Sequence, residues 1–299
     1  MRLQEFLLGK TPENFSKLTL AIAESSIGIW ESLPGSSGLS GGVNPSGDRQ
    51  KEIDVLSNDV FTRALLGTGA ASEVASEETA TPAKGGGGVV SVAMDPLDGS
   101  SNVATNNPLG SIFGLYSRRL PCSGRYLEGA LYVTYGGMLT LTLSFGKGVQ
   151  RFVAVRHGGS FDFELLDKDL RIPEKPAVYG IGGGRRDWVP QVLGFVESLE
   201  GRGLSLRYCG TFVGDYNQVL ARGGIFSYPA LVKKPKGKLR VLYETAPVAF
   251  INEQAGGYAS DGARNILDIE PVGLADTSPL YIGSASLVRE VEERVSSKN

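Results

Sequence analysis

The sequence predicts an α/β protein with two mixed sheets and with helices packed between and around them. Three observations carry this. The runs SIFGLYS, LEGALYVTYG, MLTLTLSF and GVQRFVAV are alternating or continuous apolar segments split by glycine pairs, the pattern of consecutive antiparallel strands. From about residue 170 strands alternate with helices through PAVYGIG, DWVPQVLGFVESLE, LSLRY, VGDYNQVLA and GGIFSYP, so a second sheet is implied. VVSVAM, with β-branched Val89, Val90 and Val92, reads as a buried strand that delivers Asp95 to a strand's C-terminal end, the edge where layered α/β proteins bind ligands.

The elements follow in order. A helix is predicted over TPENFSKLTLAIAESSIGIWESL, with Thr11 as N-cap, Pro12 at the first helical position, Glu13 in the first turn, and Phe15, Leu18, Ile22, Ile29 and Leu33 at helical spacing. Pro34 and Gly35 end it. A Gly/Ser-rich loop runs from 35 to 47, and GDRQKEIDVLSNDVFTRALL leads through charged residues into a second helix. SEETATPAKGGGG, residues 76 to 88, is too rich in Gly and Pro for regular structure and reads as a mobile connection. YETAPVAFINEQAGG reads as a helix closed by its glycines, and the chain finishes with the strand LYIG and the helix ASLVREVEERV, capped by Ser284. No repeat of solenoid period is present. At 299 residues the chain is one large domain or two intimate ones, and the change of pattern divides 1–170 from 171–299.

A net charge of −2, a pI near 5.7 and dispersed basic residues, apart from KKPKGK at 233 to 238, leave no electrostatic footprint for nucleic acid. MRLQEFLLGK lacks the apolar core of a signal peptide and no apolar run approaches a bilayer span, so a cytoplasmic protein without a membrane partner is expected. Cys122 and Cys209 are expected as free thiols. His157, in VRHGGS, reads as a turn residue after a strand, and one His with two Cys cannot complete a tetrahedral zinc site. Any metal therefore has oxygen ligands, and hard carboxylates favour magnesium or manganese.

The chemistry concentrates in DPLDGSSN, Asp95 to Asn102, which holds two carboxylates, a small-residue turn and two hydroxyls. Pro96 lacks an N–H and is expected to stop the ladder, which frees the Leu97 carbonyl and the Asp98 carboxylate to face the same cation as Asp95. Gly99, Ser100 and Ser101 offer N–H groups for an anion nest. A strand-to-helix turn with an Asp cap explains DG alone, but not the octapeptide. Asp48 and Asp54 flank RQKEI, Glu77 and Glu78 are adjacent, and Glu244 follows a tyrosine in GKLRVLYETAPVA. Singly these are ordinary helix-start or surface acids. Together the seven suit two or three ions bridged by carboxylates, with phosphate oxygens completing the shells.

In GDRQKEIDVLSND, SEE, DPLDGSSN, GSIFGLY, RYCGTFVGDYNQ, GGIFSYPA and PKGKLRVLYETAPVAFINEQAGG, the chain resembles class I fructose-1,6-bisphosphatase of the sugar-phosphatase superfamily, in the family's order and with nearly its spacing. The resemblance implies a layered α/β/α/β/α sandwich, a homotetramer, and Mg2+-dependent removal of the 1-phosphate of fructose 1,6-bisphosphate in gluconeogenesis or sugar-phosphate metabolism, with Mn2+ as a possible substitute. It implies two metals on Glu77, Asp95, Asp98, Glu244 and the Leu97 carbonyl, and a third on Asp48 with Glu77. Asp54 and Glu78 match the pair that activates the attacking water. Ser100, Ser101 and Arg240 match the 1-phosphate site; Lys238, Tyr208 and Tyr228 surround the sugar and its 6-phosphate; Arg207 matches an arginine that reaches the neighbouring subunit's site. On this reading 1–170 carries most metal ligands and the allosteric-type region, and 171–299 binds the sugar phosphate.

Departures from the family accompany the match. Its Asn-Glu-Gly-Tyr-like 6-phosphate stretch is replaced by Gly182, Gly183, Gly184, Arg185 and Arg186, and either arginine is a candidate replacement contact. Ala104 stands where an acid is common. The family's AMP site uses a helix start, here Thr11 to Asn14, with a Lys-Tyr pair and an arginine whose aligned positions are Val89, Val90 and Ser117, so AMP inhibition is expected to be absent or weak. The altered 182 to 186 segment leaves room for sedoheptulose 1,7-bisphosphate as substrate, alone or beside the fructose ester. An inositol monophosphatase would not need a second-phosphate site, and a non-catalytic sugar-phosphate sensor would not need the water-activating pair.

Overall fold

The computed structural model describes residues 1–35, 39–45, 47 and 49–296. A hairpin of β1 (Leu39–Val43) and β2 (Arg49–Lys51) precedes the first large sheet. That sheet contains β3 (Ala71–Ser76), β4 (Ala83–Lys84), β5 (Val90–Asp98), β6 (Leu109–Tyr116), β7 (Leu127–Tyr135), β8 (Leu139–Ser144), β9 (Gln150–His157) and β10 (Ser160–Asp167), in the order β10-β9-β8-β7-β6-β5-β3-β4. Only β3 and β5 run parallel within it. The second sheet holds β11 (Val178–Ile181), β12 (Ser205–Leu206) and β13 (Gly224–Tyr228), then, past the short β14 (Leu239–Arg240), β15 (Tyr258–Ser260) and, past β16 (Thr277–Ser278), β17 (Leu280–Gly283). Its order is β12-β11-β13-β17-β15, parallel at β11 and antiparallel around β17, so both sheets are mixed.

Helices make three further layers. α1 (Leu3–Leu7), α2 (Glu13–Ser32) and α3 (Glu52–Gly67) cover the outer face of the large sheet, where Phe15, Leu18, Ile22 and Phe61 meet Val92, Met94, Phe113 and Leu141. α4 (Pro190–Gly201) and α7 (Ala285–Ser296) cover the small sheet, through Phe195, Leu199, Leu287 and Val291. Between the sheets lie α5 (Phe212–Arg222) and α6 (Ala246–Gln254), the latter preceded by a π turn at Val241–Thr245. Their core joins Ile112, Tyr132 and Tyr216 to Phe226, Leu242 and Ile282. Because helices cover both faces of β5, all nine of its residues are buried, which is why it reads as a continuous rather than an alternating run. No helix among the described residues is long and apolar enough to cross a membrane.

Several local expectations need correction. α2 begins at Glu13, and Pro12, with ψ at 145°, is the N-cap; Thr11 stands one residue further out and makes no cap with its side chain. Residues 76 to 88 are not wholly irregular, since Ala83 and Lys84 pair with Val74 and Glu73 as an edge strand. The ladder is interrupted rather than ended by Pro96: Asp95 faces Ile112, the register shifts, and Asp98 faces Gly110. Ser111 Oγ donates to the Pro96 carbonyl across this irregularity, 2.7 Å away. Ser284 does precede α7 and its carbonyl accepts from the Leu287 and Val288 N–H groups, while its hydroxyl accepts from the Gly224 N–H at 3.0 Å. Strand β10 was not anticipated, although Phe161, Phe163 and Leu165 alternate with Asp162 and Glu164. The two cysteines are free, and His157 ends β9, paired with Glu164 at 2.8 Å.

One buried acid serves the fold. Glu73 of β3 accepts from Lys84 Nζ at 2.5 Å, Ser91 Oγ at 3.0 Å and the Leu120 N–H at 2.9 Å, so it ties β4, β5 and the turn after β6 together. Burial pushes its carboxyl up, but these donors outweigh burial and hold it below its ordinary value. A depressed carboxyl stabilises above its unfolded pKa, and that contribution is lost as pH falls through the folded value. Glu73→Ala is expected to lower unfolding free energy by about 1–3 kcal/mol in urea titrations near neutral pH. The difference from the parent should shrink on acidification; a gap that stays constant would show that the charge of Glu73 contributes nothing.

Candidate active site

The C-terminal end of β5, the start of α3, the turn after β3, and the segments before α5 and α6 meet around a cavity of about 390 Å3. At its floor Glu77, Asp95 and Glu244 each offer a carboxylate oxygen, all within 4.8 Å of one another. Three carboxylates this close and this buried repel one another strongly. Burial first, then the Glu244 charge, pushes the Glu77 carboxyl well above its usual range; burial and then Glu77 do the same to Asp95. Glu77 Oε2 is buried and accepts no hydrogen bond, though Arg240 Nη1 lies 3.1 Å away as an ion-pair partner. A hard divalent cation fits this donor set: oxygen-only ligands, excess negative charge and one carboxylate oxygen without a donor.

Asp98 lines the same cavity, but its Oδ2 accepts from Thr211 Oγ1 at 2.9 Å and from the Val213 N–H at 2.8 Å. It thus ties β5 to the start of α5. Gly99, at φ +76°, allows the turn that follows, and a Cβ there would lie 2.6 Å from Thr211 Cβ, so the clasp requires glycine twice over. Glu244 Oε2 accepts from the Arg240 N–H at 2.6 Å and stands 3.6 Å from its Nη1, so one guanidinium faces two members of the acidic triad. Burial raises both Asp98 and Glu244.

Asp54 and Glu78 flank this floor. Asp54, in the first turn of α3, accepts from the Lys51 N–H at 2.7 Å, and Glu78 accepts from Gln50 Nε2 at 2.5 Å. Burial raises both carboxyls, and for Glu78 the Asp54 charge adds to the rise. Two carboxyls moved toward neutral pH beside a metal-type cluster suit proton transfer. Ser100 and Ser101 open a 3-10 turn at the cavity, which Tyr208, Tyr228, Lys238 and Arg240 also line.

Other candidates fall elsewhere. Asp48 lies outside the described residues. Arg207 does not line the cavity, and its Nη1 donates to the Leu206 carbonyl at 2.8 Å. Arg185 and Arg186 do not line it either: Arg185 is drawn to Glu197 of α4 at 2.7 Å. Conversely Asn44, Gln50, Lys51, Thr211 and Asp215 line the cavity and were missed. Lys51 Nζ donates to the Ser100 carbonyl at 2.6 Å, and Asp215 accepts from the N–H groups of Cys209 and Gly210 at 2.6 and 3.2 Å. Burial pushes the Asp215 carboxyl up to about 6. Only RQKEI, framed by two acids, carried a local signal for two of these five.

Family models described as "Fructose-1-6-bisphosphatase, N-terminal domain" and "Fructose-1-6-bisphosphatase, C-terminal domain" match residues 29–164 and 172–296. The chain belongs to the class 1 fructose-1,6-bisphosphatase family. Within it, the chain is 42% identical over 258 residues to a "Fructose-1,6-bisphosphatase class 1 1" of Haloarcula marismortui, covering 86% of this chain and 87% of that one. It is 35% identical to the class 1 fructose-1,6-bisphosphatase of Methanocorpusculum labreanum, over 97% and 90% of the two chains. A crystal structure of Leishmania major fructose-1,6-bisphosphatase in holo form superposes with a TM-score of 0.93 at 31% identity, covering 100% of this chain and 99% of that one. The layered two-sheet fold is therefore that of the fructose-1,6-bisphosphatases, and the chain is a phosphatase of this family.

The carboxyls raised by burial and mutual repulsion favour their neutral forms, so what they contribute to stability is present at low pH and lost as pH rises through their raised values. A divalent cation on the ionised triad opposes that loss. Calorimetric melting with chelator and with added divalent cation should therefore show a larger gain in Tm near about pH 8 than near about pH 5, and Asp95→Asn should abolish most of the difference. Equal gains at both pH values would place the ion elsewhere.

Proposed function

We propose that this protein hydrolyses the 1-phosphate of fructose 1,6-bisphosphate with Mg2+, or Mn2+ in its place, yielding fructose 6-phosphate and phosphate. The observation that carries the proposal is the juxtaposition, in one cavity, of the Glu77–Asp95–Glu244 triad with the raised pair Asp54 and Glu78 and with the cations Arg240 and Lys238. Glu77, Asp95 and Glu244, joined by Asp98, the Leu97 carbonyl and Asp48, would hold two or three ions. Such ions supply polarisation of the phosphoryl oxygens and neutralisation of their charge.

The chain's own groups divide the remaining work. Ser100 and Ser101, at the start of their turn, and the Arg240 guanidinium orient the reacting phosphate. Glu78 takes the proton of the attacking water, with Asp54 beside it tuning its affinity for that proton. Gln50 keeps the Glu78 carboxylate aimed, through its 2.5 Å bond. Tyr208, Tyr228 and Lys238 hold the sugar and the distal phosphate. Arg207, which does not line its own cavity, serves that of a neighbouring subunit in a homotetramer. Residues 1–170 carry most of the metal ligands, and 171–299 bind the sugar phosphate, in a cytoplasmic enzyme of sugar-phosphate metabolism. Glu78→Gln is expected to lower kcat by about 10² to 10⁴ while calorimetry still detects bisphosphate binding. Full turnover by this variant, or undiminished activity in chelator, would remove the mechanism.

The same chain is expected to ignore AMP. Val89 is 68% exposed, Val90 is buried, and Ser117 donates to the Tyr126 carbonyl, so none of the three offers a cation or a phenol to a nucleotide. Arg118, just past the end of β6, has its guanidinium 3.9 Å from the centre of the Tyr126 ring. AMP titrated against turnover at fixed Mg2+ should leave the rate unchanged through the low micromolar range, and half-inhibition there would reveal a nucleotide site made of other residues.

A further inference from the structure

The GGGRR segment at 182 to 186 is the sequence feature that the proposed chemistry leaves unused. Its arginines lie off the cavity, but its first glycine does not stand idle. Gly182 is buried, its N–H donates to the Ser227 carbonyl at 2.9 Å, and its carbonyl accepts from Trp188 Nε1 at 3.1 Å. Both backbone groups are therefore fixed, and the residue has little freedom to move aside. A Cβ built there would lie 2.4, 2.5 and 3.0 Å from three ring atoms of Tyr228. Its φ is not in the left-handed region, so the requirement for glycine is steric rather than conformational. The ring of Tyr228 packs against bare backbone because position 182 carries no side chain.

That ring has a second partner. Lys238 Nζ stands 5.6 Å from its centre, within reach of a cation–π attraction. Lys238 is brought there by Gly237, at φ +78°, where a Cβ would lie 2.2 Å from the Ser278 backbone. Lys238 and Tyr228 both line the cavity that holds the carboxylates.

We infer that Gly182 is a specificity-determining positioning residue: by leaving space for the Tyr228 ring, it fixes the depth of the wall on which Lys238 rests, and so the place at which the distal phosphate of a sugar bisphosphate is held. This rests on the reading above that Tyr228 and Lys238 hold that phosphate. A side chain at 182 pushes the ring into the cavity and carries the ammonium with it. The metal floor and the water-activating pair lie on other elements and are not moved. The effect falls on affinity for the remote phosphate, which reads as KM, rather than on turnover.

Steady-state kinetics on full-length Gly182→Ala, with fructose 1,6-bisphosphate and Mg2+, are expected to show KM raised by about tenfold and kcat within about twofold of the parent. In a Tyr228→Ala background, where the ring is gone, the same change should add less than about twofold to KM. An unchanged KM in the single variant, or an undiminished rise in the Tyr228→Ala background, overturns the inference. If Gly182→Ala does not fold alone, recovery of folded protein in the Tyr228→Ala background supports the steric pairing, and failure in both backgrounds overturns it. Lys238→Met separates the two levels: if it leaves KM unchanged, the distal-phosphate reading fails, whereas if it raises KM while Gly182→Ala does not, only the role of Gly182 fails.

Discussion

The structure depends on one electrostatic constraint, the gathering of carboxylates that cannot all be charged at that depth without a cation. Glu77, Asp95 and Glu244 arrive from three separate elements: the turn after β3, the end of β5 and the π turn before α6. Burying even one unpaired carboxylate is costly, and burying three in contact is tolerated only with compensating charge. Arg240, with its side chain about 10% exposed, supplies part of that charge from inside the chain. A fold that bears this cost does so at a site of chemistry rather than of stability, in contrast with Glu73, whose burial is matched by three donors.

The layered architecture makes the gathering possible. The end of β5 projects its acids toward α5 and α6, which lie between the sheets, and Asp98 fastens that end to the start of α5 through Thr211 and Val213. The catalytic surface thus forms where the large sheet meets the segments preceding the two central helices. The distal wall of Tyr228 and Lys238 comes from the small sheet and the loop after it. One cavity therefore takes its acids mainly from one half of the chain and its cations mainly from the other.

Much of this was legible because the sequence keeps it local. DPLDGSSN places Asp95, Asp98, Ser100 and Ser101 within eight residues, and the runs of β5 to β9 are apolar enough to be read directly. Glu77 and Glu244 are 167 positions apart, and no local pattern unites them; the family resemblance did. Gln50, Thr211 and Asp215 were missed because each acts through a tertiary partner, Glu78, Asp98 and the turn at Cys209, that spacing alone does not bring near. The arginines at 185 and 186 drew attention through their charge, yet Glu197, invisible as a partner until α4 is folded, claims the first of them. The Pro96 irregularity shows the same limit: a missing N–H foretells a break in the ladder, but whether pairing resumes is decided by β6.

The two ion pairs of Arg240 have a thermodynamic consequence. Its guanidinium faces Glu77 and Glu244, and it is also the group best shaped to grip a phosphate in two places. A phosphate that drew the guanidinium outward would leave the two carboxylates with charge to balance, which a metal ion would supply. Anion and cation would then bind with positive cooperativity, each raising the other's affinity by the same factor.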